Sequence, residues 1–151
     1  MIAIHRATLD DLDTLVPLFD GYRTFYSQTP DTEISRAFLD ARLRLNESVI
    51  FLARLDDGTA AGFTQLYPIF SSVSAARVWV LNDLFVAANA RRRGVANALL
   101  DAATAFAREN GAIRLELETT PDNASAQALY RAAGWQLFDE TLRFRLSLAQ
   151  D

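Results

Sequence analysis

The chain has no cysteine and a single histidine among its 151 residues. Without cysteine there is no disulfide, no thiolate metal site and no cysteine nucleophile. One imidazole cannot build a histidine-rich catalytic metal centre, so no metal is expected. Long apolar runs are missing too, and none approaches the roughly 20 residues that a membrane helix needs. The start, Met1 to Arg6, lacks the basic flank and apolar stretch of a secretory signal. A cytoplasmic protein with no membrane partner is the expectation. Excess basic charge is absent as well: the net charge is −4, which argues against a nucleic-acid partner. No repeat, low-complexity tract or Gly/Pro/Ser-rich linker interrupts the chain, so one domain spanning 1–151 is expected.

What is present is a succession of periodic segments. Ile2 to Ile4 alternates like a short strand. Thr8, with Asp11 three residues on, reads as a helix cap, and Leu9, Leu12, Leu15, Val16 and Phe19 follow at helical spacing toward a stop near Gly21. A second helix starts at Asp31, with Ile34, Phe38, Leu39 and Leu43 on its apolar stripe. Ser48 to Arg54 and Ala60 to Ile69 read as strands around the Asp56-Asp57-Gly58 turn. Phe70 to Ala75 reads as a loop, and Arg77 to Val86 as a buried central strand. Val95 to Glu109 is a helix stopped by Asn110-Gly111, and Ile113 to Thr119 another strand. Asp122 or Asn123 caps a last helix running to Ala133. Trp135 to Phe138 and Leu142 to Leu148 complete the pattern as two strands. The order is that of an α/β fold built on a mixed sheet.

The segment from Leu81 to Ala96 carries the chemistry. A hydrophobic strand leads through a basic turn, Arg91-Arg92-Arg93-Gly94, into the helix that begins at Val95. Unsatisfied N–H groups and the positive dipole end at a helix start attract anions. Cations are disfavoured there unless an anion joins them, and Gly94 with the small Ala96 lets a phosphate approach the backbone. The turn is neither a Walker loop nor a dinucleotide fingerprint.

Arg91-x-x-Gly94-x-Ala96 resembles the pyrophosphate signature R/Q-x-x-G-x-G/A of the GNAT acetyltransferases. Asn123-x-x-Ala126-x-x-Leu129-Tyr130-x-x-x-Gly134-Trp135 is similar to that family's second motif. Together the two cover Leu81 to Trp135 in the family's order. The resemblance implies a single N-acetyltransferase domain of α/β class with acetyl-CoA as co-substrate. It implies a mostly antiparallel sheet of about seven strands with four helices on both faces, and splayed parallel strands that bind CoA. By the same resemblance, main-chain groups of Leu84, Phe85 and Val86 would hold the pantetheine arm and the acetyl carbonyl. The turn Arg91, Arg92, Arg93, Gly94, Val95 and Ala96 would hold the pyrophosphate. Asn123 and Ala126 would lie along the cofactor, and Tyr130 would stand near the thioester sulfur as general acid. Without cysteine, transfer would be direct, in a ternary complex.

The base is left open. Polyamine-acetylating relatives carry Leu-Glu-Asp where this chain has Leu81-Asn82-Asp83, and Asn82 cannot accept a proton from an ammonium group. Asp83 points away from Asn82 by strand alternation. Glu118 stands where ribosomal-protein N-terminal acetyltransferases carry their base, and it also reads as a solvated strand residue beside Arg114 and Glu116. A water chain is the third option. Tyr26 and Tyr67, with Asn82 and Asp83, are the expected acceptor-binding residues, because aromatic walls and carboxylates suit a cationic amine. The expected acceptor is a small cationic amine. A protein N-terminus or lysine is the alternative, and a silent CoA-binding module a third reading. Relatives that pair through late strands leave a homodimer open.

Overall fold

Residues 1–149 are described by the computed structural model, in two compact units, Met1–Glu118 and Thr119–Asp151. In the first unit, strand β1 (Ala3–Arg6) is followed by a 3-10 turn at Leu9–Asp11 and helix α1 (Leu12–Phe25). The 3-10 turn opens at the expected cap residue Thr8, with a capping box. The Thr8 side chain accepts from the Asp10 amide, and the Thr8 amide donates to Asp11 at 2.9 Å. His5 of β1 is tied to the same carboxylate at 3.1 Å. Helix α2 (Thr32–Arg44) starts at Asp31, whose carboxylate accepts from the Glu33 and Ile34 amides. Then come β2 (Val49–Arg54), β3 (Ala60–Ser71), β4 (Ala76–Val86), α3 (Val95–Glu109) and β5 (Arg114–Glu116).

The five strands lie in the order β1-β2-β3-β4-β5, antiparallel except for the parallel β4–β5 pair. Side-chain alternation along β2 sorts its residues between two faces. Ile50 and Leu52 pack with Leu15, Phe19, Leu39 and Phe63 in the core beneath α1 and α2. Phe51 meets Phe106 of α3 with ring centroids 5.7 Å apart, so α3 covers the opposite face. The mixed α/β architecture and the mostly antiparallel sheet are as the sequence leads one to expect. None of the helices is long and apolar enough to cross a membrane, among the described residues.

Three expectations change. Helix α1 runs past Gly21 to Phe25. Glycine there is a packing residue and not a cap: a Cβ would sit 3.0 Å from Cζ of Phe85. Strand β3 continues through Phe70 and Ser71 into the expected loop, where Phe70 pairs with Arg77 across the hairpin and takes its guanidinium 4.3 Å above the ring. The two strands expected at Trp135 to Phe138 and Leu142 to Leu148 do not form, so the sheet has five strands and not about seven among the described residues. Alternation supplies a face, but a strand also needs a partner ladder.

The second unit is built around α4 (Ala124–Ala132). Its cap is Asn123, whose Oδ1 accepts from the Ala126 amide at 3.2 Å.

Candidate active site

Strands β4 and β5 pair over three residues only, Val78↔Arg114 to Val80↔Glu116. Beyond them, Leu81 to Val86 is paired to β3 but has no strand on its β5 side among the described residues. Leu84, Phe85 and Val86 lie in this open half, opposite Thr64, Phe63 and Gly62 of β3. The close approach depends on Gly62, where a Cβ would fall 2.4 Å from the Phe85 carbonyl oxygen.

The ladder breaks once. Gln65 pairs with Asp83 and Leu66 with Leu81, so Asn82 is the extra residue of a bulge. Its side chain is exposed while Asp83 is 1% exposed. The Tyr22 hydroxyl donates to the Asn82 carbonyl at 3.1 Å, and Thr64 Oγ1 donates to the Asp83 carbonyl at 2.7 Å.

Asp83 sits in a polar chain inside the sheet. Gln65 Nε2 donates to its Oδ2 at 2.6 Å and Asn82 Nδ2 to its Oδ1 at 2.8 Å. Ser48 Oγ in turn donates to Gln65 Oε1 at 2.8 Å, which fixes the orientation of that amide. Burial pushes the Asp83 carboxyl up to about 6, against the pull of the hydrogen bonds from Asn82 and Gln65. Half-buried Tyr67 is pushed up as well, by burial first and by the Asp83 charge second, with Arg42 opposing. Tyr26 lies at the end of α1 in an aromatic cluster, 5.1 Å from the Tyr22 and Phe25 rings.

The basic turn follows β4 after a 3-10 turn at Ala88–Ala90. Arg91, Arg92 and Arg93 are exposed. Arg92 (φ 62°) and Gly94 (φ 81°) are both left-handed, which turns the chain sharply into α3. Gly94 caps α3 without any side-chain acceptor, and no acid stands in the first turn. The amides of Val95 and Ala96 therefore open an anion-attracting helix end. This suits a pyrophosphate.

Tyr67, Asn82, Asp83, Leu84, Phe85, Val86 and the basic turn thus occur together in the first unit. Glu118 is exposed, two residues past the end of β5, while Arg114 and Glu116 pair at 2.7 Å. Asn123, Ala126 and Tyr130 belong to the second unit. There Asn123 spends its Oδ1 on the cap, and the half-buried Tyr130 ring lies 6.1 Å from Trp135. Sequence reasoning missed Gln65, Ser48 and Gly62. The available signal was a glutamine within the otherwise apolar run of β3.

The sequence matches the Acetyltransferase (GNAT) family over residues 14–135. It is 47% identical over 133 residues to the uncharacterized N-acetyltransferase YhfO of Bacillus subtilis (strain 168), covering 88% of this chain and 89% of that one. It is 34% identical over 146 residues to a probable acetyltransferase of Haemophilus influenzae, covering 97% and 98%. The crystal structure of a probable acetyltransferase superposes with a TM-score of 0.93 at 46% identity, covering 99% of both chains. Fold, turn and relatives define an acetyl-CoA-dependent N-acetyltransferase. The chain belongs to the GNAT acetyltransferase family.

Proposed function

We propose that the enzyme acetylates the primary amine of a small cationic molecule, by direct transfer within a ternary complex, with Asp83 as the proton acceptor. The observation that carries this reading is the buried Asp83 carboxylate, anchored by Gln65 at the bulge beside the open half of β4. Its pKa, raised to about 6, suits a base that works near neutrality. The acceptor arrives as an ammonium ion, and the aromatic rings of Tyr26 and Tyr67 favour that charge.

Asp83 takes one proton from the ammonium group, directly or through a water. The free amine nitrogen then attacks the thioester carbonyl carbon, the C–N bond forms and the C–S bond breaks. Backbone N–H groups of Leu84 to Val86 stabilise the oxygen that gains charge, an effect of about 2.7–4 kcal/mol per well-placed donor. The departing thiolate takes a proton from the Tyr130 hydroxyl, and the nitrogen's second proton passes through water to restore that hydroxyl, leaving a neutral amide and the free thiol of CoA. The turn from Arg91 to Ala96 holds the pyrophosphate, and the Asn123 Nδ2 donor contributes along the cofactor. With no cysteine in the chain, no acetyl-cysteine intermediate intervenes.

The test is thiol release from acetyl-CoA against polyamines, amino acids, aminoglycosides and short peptides. Turnover with polyamines, amino acids or aminoglycosides supports the reading. Turnover confined to peptides moves the acceptor to a protein N-terminus or lysine and the base to Glu118. Acetyl-CoA binding with no transfer to any amine would leave a silent CoA-binding module.

A further inference from the structure

Helix α3 stops at Glu109, and near its end the sheet face that it covers is hollow. Arg6 of β1, Phe70 of β3, and Arg77 and Trp79 of β4 line a cavity of about 470 Å³ there, with Phe106 and Asn110 of the helix end. All of these residues belong to the first unit, and none has a part in the site described above. The Arg77 guanidinium lies 4.3 Å from the Phe70 ring centroid and 5.4 Å from that of Trp79. Arg6 lies 5.4 Å over Phe106, and the Phe106 and Trp79 rings meet at 5.0 Å. Two cations thus flank one aromatic pair. A guanidinium stacked on a ring keeps its in-plane N–H groups for a planar acceptor. Neither Arg6 nor Arg77 forms an ion pair within the first unit. Trp79 is 6% exposed, and its Nε1 is buried with no acceptor among the described residues. Such an N–H calls for an explanation, because buried donors are nearly always paired.

We propose that this cavity is a second binding site, for a small aromatic monocarboxylate. The lining holds two cations and no acid, which sets the sign of the ligand. Arg6 and Arg77 supply the charge and the donors, and the Trp79 N–H gains the acceptor it lacks. The Phe70 and Phe106 rings supply a surface for the flat apolar body. The volume falls within the roughly 300–1,000 Å³ of small-molecule sites. The negative end of the α3 dipole lies at the same rim, so a singly charged carboxylate suits the cavity better than a doubly charged phosphate. Leu84 stands five residues beyond Trp79 along β4, roughly 16 Å of extended chain. The cavity is therefore separate from the strand that holds the cofactor, and the proposal holds whichever amine is the acceptor.

The chain has two tryptophans, so the nitrogen-labelled protein shows two indole N–H resonances, which Trp79→Phe assigns. Phenylacetate is titrated into the full chain, beside neutral phenylacetamide and inorganic phosphate. A saturable shift of the Trp79 resonance with phenylacetate is expected, with Trp135 unmoved. Phenylacetamide and phosphate should produce no comparable shift. Arg6→Gln and Arg77→Gln should each weaken phenylacetate binding about tenfold or more, as loss of a charge-assisted contact implies. Saturating acetyl-CoA should leave the titration unchanged. No saturable shift at Trp79 overturns the proposal. Equal shifts with phenylacetamide would also overturn it, since the rings alone would then bind. Equal shifts with phosphate would overturn the assignment to a carboxylate. Displacement of phenylacetate by acetyl-CoA would put it at the basic turn and remove the second site.

Discussion

Gln65 Nε2 lies 2.6 Å from Asp83 Oδ2, with both side chains buried between β3 and β4. The pair joins neighbouring strands at the one place where their ladder slips. Its partner Ser48 leaves Gln65 no freedom to turn its carbonyl toward the carboxylate. Asp83 is therefore held in place, yet burial makes its charge costly. The rise of its pKa from 3.8 to about 6 corresponds to about 3 kcal/mol. Because the folded pKa is the higher one, this group's contribution to stability is greatest below about pH 4. It falls as the pH rises through about 6, where the folded protein gives up its extra proton.

Asp83→Asn should accordingly separate stability from activity. At pH 8 the variant should melt at least as high as the parent, because the buried charge is gone and the amide still accepts from Gln65. Acetyl transfer should fall by roughly 10²–10⁴-fold. In the parent, kcat/KM should decline below about pH 6 as Asp83 becomes protonated, and the variant should lack that limb. Equal turnover in variant and parent would move the base to Glu118 or to water.

Gly62→Ala tests the approach of β3 to β4. The added methyl would meet the Phe85 carbonyl oxygen at 2.4 Å, and that oxygen belongs to backbone paired on its β3 side. The strands must shift, at a cost of about 1–3 kcal/mol. For a chain of this size that is a drop of roughly 2–4 °C per kcal/mol in Tm. Leu84 to Val86 move with the shift, so KM for acetyl-CoA should rise. Gly21→Ala meets only the Phe85 ring edge at 3.0 Å, and should cost less. A Gly62→Ala protein with unchanged Tm and KM would show that the strand spacing has slack.

What was legible in the sequence followed the range of the interaction. The basic turn and the bounds of α3 rest on neighbouring residues and could be read directly, as could the Asp31 cap. The Asp83–Gln65 pair could not, because it joins residues 18 apart and depends on a bulge that alternation alone does not reveal. Gly21 was misread because a glycine that ends a helix and one that admits a ring look alike in sequence. The apolar alternation of Leu142 to Leu148 led to a strand that is not found among the described residues, because alternation supplies a face without supplying a partner ladder.

Substitutions in the basic turn should divide by mechanism. Arg92 holds a left-handed conformation at φ 62°, a strain of roughly 1–2 kcal/mol for a residue with a Cβ. Arg92→Gly should leave the melting temperature of the free protein level or higher, while weakening acetyl-CoA binding in a salt-dependent way. Gly94→Ala does the reverse to the backbone: it introduces strain at φ 81° and distorts the start of α3. It should weaken acetyl-CoA binding about tenfold or more at every salt concentration. Calorimetric titration at low and high salt distinguishes the two. Parallel salt dependence in both variants would mean that the side-chain charge at Arg92 has no part in holding the pyrophosphate.

Tyr130→Phe isolates the proposed proton donor to sulfur. The half-buried ring lies 6.1 Å from Trp135, and phenylalanine preserves that contact, so the fold of α4 and the fluorescence of Trp135 should be unchanged. Only the hydroxyl is lost. If it protonates the departing thiolate, it acts in the transition state and not in cofactor binding. Turnover should then drop by roughly 10²–10⁴-fold while KM for acetyl-CoA stays within about twofold. An acyl donor whose thiol has a lower pKa needs less help in leaving, so the deficit should shrink with such a donor. A rise in KM alone, with kcat intact, would make the hydroxyl a binding group. A uniform deficit across donors would assign it to positioning the thioester, with the proton coming from solvent.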